Sequence, residues 1–247
     1  MLRSPRDAGA PPTGAVAALA QTAVSVARMR AIDAAAIDDL GIPRLLLMDH
    51  AGVAVASAVR ALAAAQPARS VTVCCGTGFN GGDGLAAARH LQRWGLPVRV
   101  VLASPRERLS GEPAIFLRIL SHLGLELAEC PGPGLEPRVD AWLRDSEVLV
   151  DALLGIGANG PVREPLASLI AAMNRSGRPI VAADVPSGLD ADTGEISTVA
   201  VRATVTVTFG LPKRGCFRGE GPAHVGSLVV DPITFPPSLL QPTGGLP

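Results

Sequence analysis

The sequence predicts an α/β fold with a mostly parallel central sheet and helices on both faces. Three observations predict it. Short runs of apolar and β-branched residues recur along the chain. They alternate with segments of helical periodicity, which is the pattern of βα units. Most are apolar throughout rather than at every second position, as strands covered on both faces require.

Residues 1–24 mix Arg, Pro, Gly and Ala. Their apolar part is short, Ala-rich and interrupted by Gln21 and Thr22. It is too weak for a signal peptide and is read as a flexible N-terminal extension. Over 26–40, Met29, Ile32, Ala36 and Ile37 share one helical face, with Arg30, Asp33 and Asp38 between them. Gly41 and Pro43 end that helix, and a longer one follows over 44–65. Strands are predicted at 70–75, 98–102, 125–127, 148–152, 179–183, 204–209 and 227–230. Helices are predicted at 83–94, 113–123, 137–144 and 164–174. One domain over 25–231 results, with a Pro/Gly-rich tail at 232–247. No stretch reaches the roughly 18 consecutive apolar residues of a membrane span.

Composition narrows the partners. Lys and Arg total 22, Asp and Glu total 22, and the net charge is zero. That argues against nucleic acid or an anionic membrane as a partner chosen by charge. Four cysteines, two of them adjacent, make neither a disulfide framework nor a CxxC site, and they predict a reducing, cytoplasmic home. Lys213 is the only lysine in the chain. Its loop position suits either a cation facing a phosphate or a solvated side chain.

Ligands of parallel α/β sheets sit beyond the carboxyl ends of the strands. After the first strand, Gly76-Thr77-Gly78-Phe79-Asn80-Gly81 matches GxGxxG, whose glycines let backbone N–H groups approach a phosphate. A tight turn with Asp83 capping the helix is the alternative. The next strand ends Leu102-Ala103-Ser104-Pro105, without the ribose-binding carboxylate of an ordinary NAD dehydrogenase. Asp151 and Asp184 each close an otherwise apolar strand, which is costly unless the carboxylate caps a helix or binds something. Pro186, Ser187 and Gly188 make a rigid loop expected to aim Asp184 and Ser187 at one mouth. Asn80, Asp151 and Ser187 are hard oxygen donors with little charge, a set suited to an alkali cation rather than to zinc. His50, His90, His122 and His224 are scattered and read as surface or packing residues.

Taken together, these motifs resemble the YjeF N-terminal family, the NAD(P)H-hydrate epimerases. The resemblance covers Met29-Arg30-Ala31-Ile32-Asp33, Leu46 to Gly52, Cys75 to Gly84, Val150 to Gly157, Asp184 to Gly194 and Thr206 to Lys213. It implies a Rossmann-like three-layer α/β/α sandwich. It also implies an isomerase that interconverts the R and S epimers of hydrated NADH or NADPH. Phe79, Asn80, Gly81, Gly82, Asp83, Gly155, Ile156, Gly157, Ala158, Asn159, Gly160, Pro161 and Asp184 would then contact the substrate. Asn80, Asp151 and Ser187 would hold potassium. Inversion at C6 by loss and return of the hydroxyl needs an acid and a base, and Asp184 is the candidate for that role. The expected partners are the small-molecule substrate, a second copy in a homodimer, and a separate dehydratase acting downstream. The sequence departs from the family's usual pattern at Phe79, where an Asn is usual, and at Asp49-His50, where Glu-Asn is usual. Two other readings stay open: a non-catalytic binding or scaffold module of the same fold, and the same pocket acting on another nucleotide-like substrate.

Overall fold

The apolar runs form one seven-stranded sheet: β1 (Val71–Cys75), β2 (Val98–Leu102), β3 (Glu126–Glu129), β4 (Val148–Ala152), β5 (Ile180–Ala183), β6 (Val205–Phe209) and β7 (Ser227–Asp231). The structure is a computed structural model describing residues 13–63, 70–158 and 160–241. The strand order is β3-β2-β1-β4-β5-β6-β7. Every neighbouring pair is parallel, so the sheet is wholly rather than mostly parallel. The inner strands β1, β4 and β5 are buried at every residue. The edge strand β3 carries Glu126 and Glu129, and such charge discourages pairing with another chain.

Two helical layers cover the faces. On one lie α3 (Arg44–Ala63), α4 (Phe79–Arg93) and α5 (Gly111–His122), packed through Val55, Val59, Leu85, Leu91 and Phe116. On the other lie α6 (Pro137–Asp145) and α7 (Leu166–Arg175), packed through Trp142, Leu143, Leu169 and Ile170. Gly52 lets α3 and α4 approach closely: a Cβ there would stand 2.5 Å from Ala86 Cβ and 2.7 Å from Ala87 N. The 20-residue α3 is long and apolar enough, by composition, to cross a membrane. Here it is a helix of the core layer, with Met48, Ala51, Val55 and Val59 buried.

A further helix, α2 (Val26–Ala34), lies over the carboxyl ends of the strands and continues as a π-helical turn over Ala35–Asp39. Ser25 Oγ caps it, accepting from Arg28 N at 3.2 Å. Its placement is fixed by the loops beneath. Asp192 Oδ1 accepts from Val26 N at 2.8 Å, Arg30 donates to the Ile156 carbonyl at 3.3 Å, and Met29 packs against Gly210.

Both expected chain ends differ from their reading. Within 1–24, Thr13–Gln21 is helical (α1), and Val24 exchanges backbone hydrogen bonds with Pro212 and Arg214 on either side of Lys213. Within 232–247, Phe235 and Leu239 are buried with Met29 and Ile32, because the α2 layer leaves apolar surface that the tail covers. Residues 1–12 and 242–247 lie outside the described residues. Helix α4 also begins at Phe79, not at 83, with Gly78 as its N-cap residue. Asp83 therefore sits inside the helix and does not cap it.

Candidate active site

The strand order reverses between β1 and β4, the position at which open parallel sheets leave a crevice. A cavity of about 860 Å³ opens there. It is lined by the start of α4, the loops after β4, β5 and β6, helix α2, Arg44 of α3 and Phe235.

Three of the expected ligands meet around the peptide of Leu154. Asn80 Nδ2 donates to the Leu154 carbonyl at 2.9 Å. Ser187 Oγ accepts from Leu154 N at 2.8 Å and donates to Asp151 Oδ1 at 2.6 Å. Asp151 also accepts from Ser187 N at 2.8 Å and Leu153 N at 3.3 Å. Burial pushes the Asp151 carboxyl up to about 6, against the pull of these donors. Asn80 Oδ1 is buried and has no partner among the described residues. An unpaired buried oxygen is costly, and a cation ligated by oxygen would satisfy it. The donor set therefore fits an alkali cation. In one respect the expectation fails. Asp151 and Ser187 are wholly buried and lie beneath the cavity, so Ser187 turns to Asp151 rather than to the mouth it was expected to share with Asp184.

Asp184 does line the cavity. Its backbone is left-handed, at φ +66°, and its N–H donates to the Val207 carbonyl at 2.7 Å. Few residues other than glycine adopt that conformation, at a cost of roughly 1–2 kcal/mol. Lys213 Nζ donates to Asp184 Oδ1 at 2.5 Å, to Thr208 Oγ1 at 2.9 Å and to the Phe209 carbonyl at 2.8 Å. All three ammonium protons are used inside the protein, and Lys213 is 1 % exposed. It is neither the solvated loop lysine nor the phosphate-facing cation of the sequence reading. It is the fixed counter-charge of Asp184.

Two further carboxyls line the cavity, and neither has a hydrogen bond or ion pair among the described residues. Asp83 stands one turn into α4. Burial, then the Asp184 and Asp33 charges, drive it well above the usual carboxylate range. Asp33 projects from α2. Burial and then Asp184 push it up to about 6, against Lys213 and Arg44.

The remaining expected residues divide. Phe79, Gly155, Ile156, Gly157 and Ala158 line the cavity. Gly81 and Gly82 do not: a Cβ on Gly81 would meet the Gly76 carbonyl oxygen at 2.0 Å, and one on Gly82 would meet Met48 Sδ at 2.5 Å. Gly160 and Pro161 stand outside the lining, and Asn159 is outside the described residues. Asp49 and His50 also stand away from the cavity. Asp49 accepts from Arg89 at 2.5 Å and pairs with His90 at 3.0 Å, while His50 is exposed. Sequence reasoning gave no site role to Asp33, which it placed between the apolar positions of its helix, and missed the pairing of Lys213, whose signal was its uniqueness.

The profile of the YjeF-related protein N-terminus matches residues 44–215, well over half of the chain. The chain belongs to the YjeF N-terminal family. One relative is the bifunctional NAD(P)H-hydrate repair enzyme Nnr of Pyrobaculum aerophilum. It is 48% identical over 200 residues, which are 80% of this chain and 39% of that protein. The chain thus spans about two fifths of the length of such bifunctional relatives. The NAD(P)H-hydrate epimerase of Limosilactobacillus fermentum is 36% identical, across 86% of this chain and 97% of that one. Among solved structures, yeast ynu0 (YNL200c) superposes with a TM-score of 0.71 at 28% identity, covering 79% of this chain and 83% of that one. The stretch matched to the YjeF N-terminal profile contains the α4 loop, Asp151, Asp184 and Lys213. It leaves α2, with Asp33, outside.

Proposed function

We propose that the chain is an isomerase that interconverts the R and S epimers of hydrated NADH and NADPH. The observation that carries this reading is the buried Lys213–Asp184 pair, which presents one carboxylate to a cavity large enough for a nicotinamide and its ribose. The relatives that match along most of this chain, an NAD(P)H-hydrate epimerase and bifunctional NAD(P)H-hydrate repair enzymes, support it.

The chemistry fits the charges. C6 of the hydrate bears a hydroxyl beside a ring nitrogen. Loss of that hydroxyl leaves an iminium-like cation, and water can return to either face. Negative charge near the ring stabilises the cation, and proton transfer assists both the departure and the return. Asp184 supplies the charge. Its Oδ2, which takes no hydrogen bond from the described residues, is free to exchange a proton. The N-terminus of the 15-residue α4, with its unpaired N–H groups, favours the substrate's diphosphate. The deciding experiment incubates the protein with the R epimer and follows formation of the S epimer by chromatography. No conversion above the spontaneous rate would overturn the reading.

Potassium is proposed for the Asn80–Asp151–Ser187 set, where it fixes the loops after β1, β4 and β5 and gives Asn80 Oδ1 its missing partner. A ligand that binds only the folded state stabilises by about 2.7 kcal/mol at one hundred times its Kd. Potassium chloride should therefore raise the melting temperature above that in lithium chloride of equal ionic strength. Asn80→Ala should remove most of the difference, and equal melting of the wild-type protein in both salts would exclude the site.

Phe79 is 54 % exposed at the rim, with the Arg44 guanidinium 4.5 Å above its ring. We assign it as a platform on which a substrate ring stacks. Aromatic stacking contributes about 1 kcal/mol, so Phe79→Ala should raise KM roughly fivefold and leave kcat nearly unchanged. A fall in kcat with constant KM would count against stacking. The four cysteines are unpaired and buried, which supports a cytoplasmic home.

A further inference from the structure

We propose that Asp33, on the helix lying over the cavity, is the second proton-transfer residue of the site and works opposite Asp184. This inference rests on the epimerase reading above. Inversion at C6 has a geometric demand: the hydroxyl leaves from one face of the ring and water returns to the other. One carboxylate cannot reach both faces, so a second group has to stand across the ring from Asp184.

The fold brings Asp184 and Asp33 to one cavity from two separate elements. Asp184 rises from the carboxyl end of β5 and is held from below by Lys213. Asp33 comes from α2, which is tied across the loops after β4, β5 and β6 by Arg30, Asp192 and Gly210. The buried neighbours of Asp33, Met29 and Ile32, anchor α2 from the apolar side. Asp33 lines the cavity and is close enough to Asp184 and Lys213 to feel both charges, yet no protein donor engages it among the described residues. A partly buried carboxyl without a partner is uncommon unless it serves the ligand.

The charged groups facing Asp33 are Asp184 and Lys213 from the strand ends, Asp83 from α4 and Arg44 from α3. Burial first, and then the balance of these charges, brings its carboxyl to about 6, so it can both give and take a proton near neutrality. Asp83 is a poorer candidate. Burial, then the Asp184 and Asp33 charges, hold its carboxyl well above the usual carboxylate range, which suits a hydrogen-bond donor better than a shuttle.

In the R-to-S direction Asp33 gives its proton to the departing hydroxyl. The C6–O bond breaks, its electron pair leaves with oxygen as water, and the ring-nitrogen lone pair forms the C6=N bond. Water then adds to the opposite face: an oxygen lone pair forms the new O–C6 bond, the C=N π pair returns to the ring nitrogen, and the proton passes to Asp184. No electrons are gained or lost, and the proton returns from Asp184 to Asp33 through solvent in the open cavity. The S-to-R direction exchanges the two roles.

The test uses the full chain and the chemically prepared R and S hydrates of NADH. Asp33→Asn should lower kcat about 100-fold in both directions, with KM changed less than threefold. In the wild type, kcat for R-to-S conversion should fall as pH rises through about 6, and Asp33→Asn should abolish that limb. Asp33→Ala should regain part of its activity when formate is added, and Asp33→Glu should retain the limb even if Asp33→Asn folds poorly. A kcat within threefold of wild type in Asp33→Asn would overturn the proposal. So would an unchanged pH limb, or absence of both formate rescue in Asp33→Ala and the limb in Asp33→Glu. An inactive wild type would instead overturn the epimerase reading itself.

Discussion

Asp184→Asn is expected to lower epimerisation by about 1,000-fold or more, the largest effect of any single change at the site. The substitution keeps the shape of the side chain, and Asn tolerates the left-handed backbone at φ +66° at least as well as Asp. What it removes is the negative charge facing the ring and the oxygen that exchanges the proton. It also leaves the buried Lys213 ammonium without a counter-charge. Breaking one side of a buried ion pair costs about 3–5 kcal/mol, so the variant should melt well below the wild type. Loss of activity and loss of stability must therefore be separated. Replacing both members, Asp184→Asn with Lys213→Met, removes the stranded charge. It leaves only the Phe209 carbonyl and the Thr208 hydroxyl short of a donor, at a cost of about 1–3 kcal/mol each at most. The double variant should regain part of the lost melting temperature and none of the lost turnover. Turnover that recovered together with stability would remove Asp184 from the chemistry and make the pair a purely structural feature.

The fold was legible because its signal is local. Continuous apolar runs such as Val148–Ala152 admit little but a doubly covered strand, and Gly76 and Gly41 punctuate the pattern. The loops after the strands were legible for a related reason: Asp151 and Asp184 close apolar runs where only a ligand or a partner repays burial, and Asn80 sits in a glycine-rich loop directly after a strand. Two things were not legible. Periodicity places Asp33 on the polar side of its helix, and nothing in sequence says that this side faces a cavity instead of solvent. Likewise no local pattern says that Lys213 reaches back under Asp184. That contact joins the loops after β5 and β6, and it depends on the parallel register of the two strands, Ala183 beside Val207. The tail was misread in the same way. Its Pro-rich composition is loop-like, but the apolar face of α2 recruits Phe235 and Leu239 as cover. Contacts made between elements, rather than within them, are what the sequence alone concealed.

The same distinction governs the glycine loop, where Gly81→Ala and Gly78→Ala should give opposite outcomes. Both positions belong to the GxGxxG match, and by motif alone both serve a phosphate. A Cβ on Gly81 would stand 2.0 Å from the Gly76 carbonyl oxygen and 2.7 Å from its carbon. Those are backbone atoms of the turn leaving β1, and they cannot rotate aside. Gly76 has no slack either, because its own Cβ position lies 2.0 Å from the Leu153 carbonyl oxygen. Helix α4 would have to lift from β1, which costs about 3 kcal/mol even after the helix-propensity gain of alanine. At this chain length that corresponds to a fall of roughly 10 °C in melting temperature. Asn80 would move with the helix, so the effect of potassium on stability should disappear as well. Gly78 has open space where its Cβ would be, and its φ of −86° suits any residue. Gly78→Ala should change stability by less than about 1 kcal/mol. Because Gly78 lines the cavity, the added methyl should instead raise KM by obstructing the approach of the diphosphate to the α4 N–H groups. If Gly78→Ala melted early while Gly81→Ala folded normally, the two glycines would have to exchange these assignments, and with them the packing of α4 on the sheet that positions Asn80.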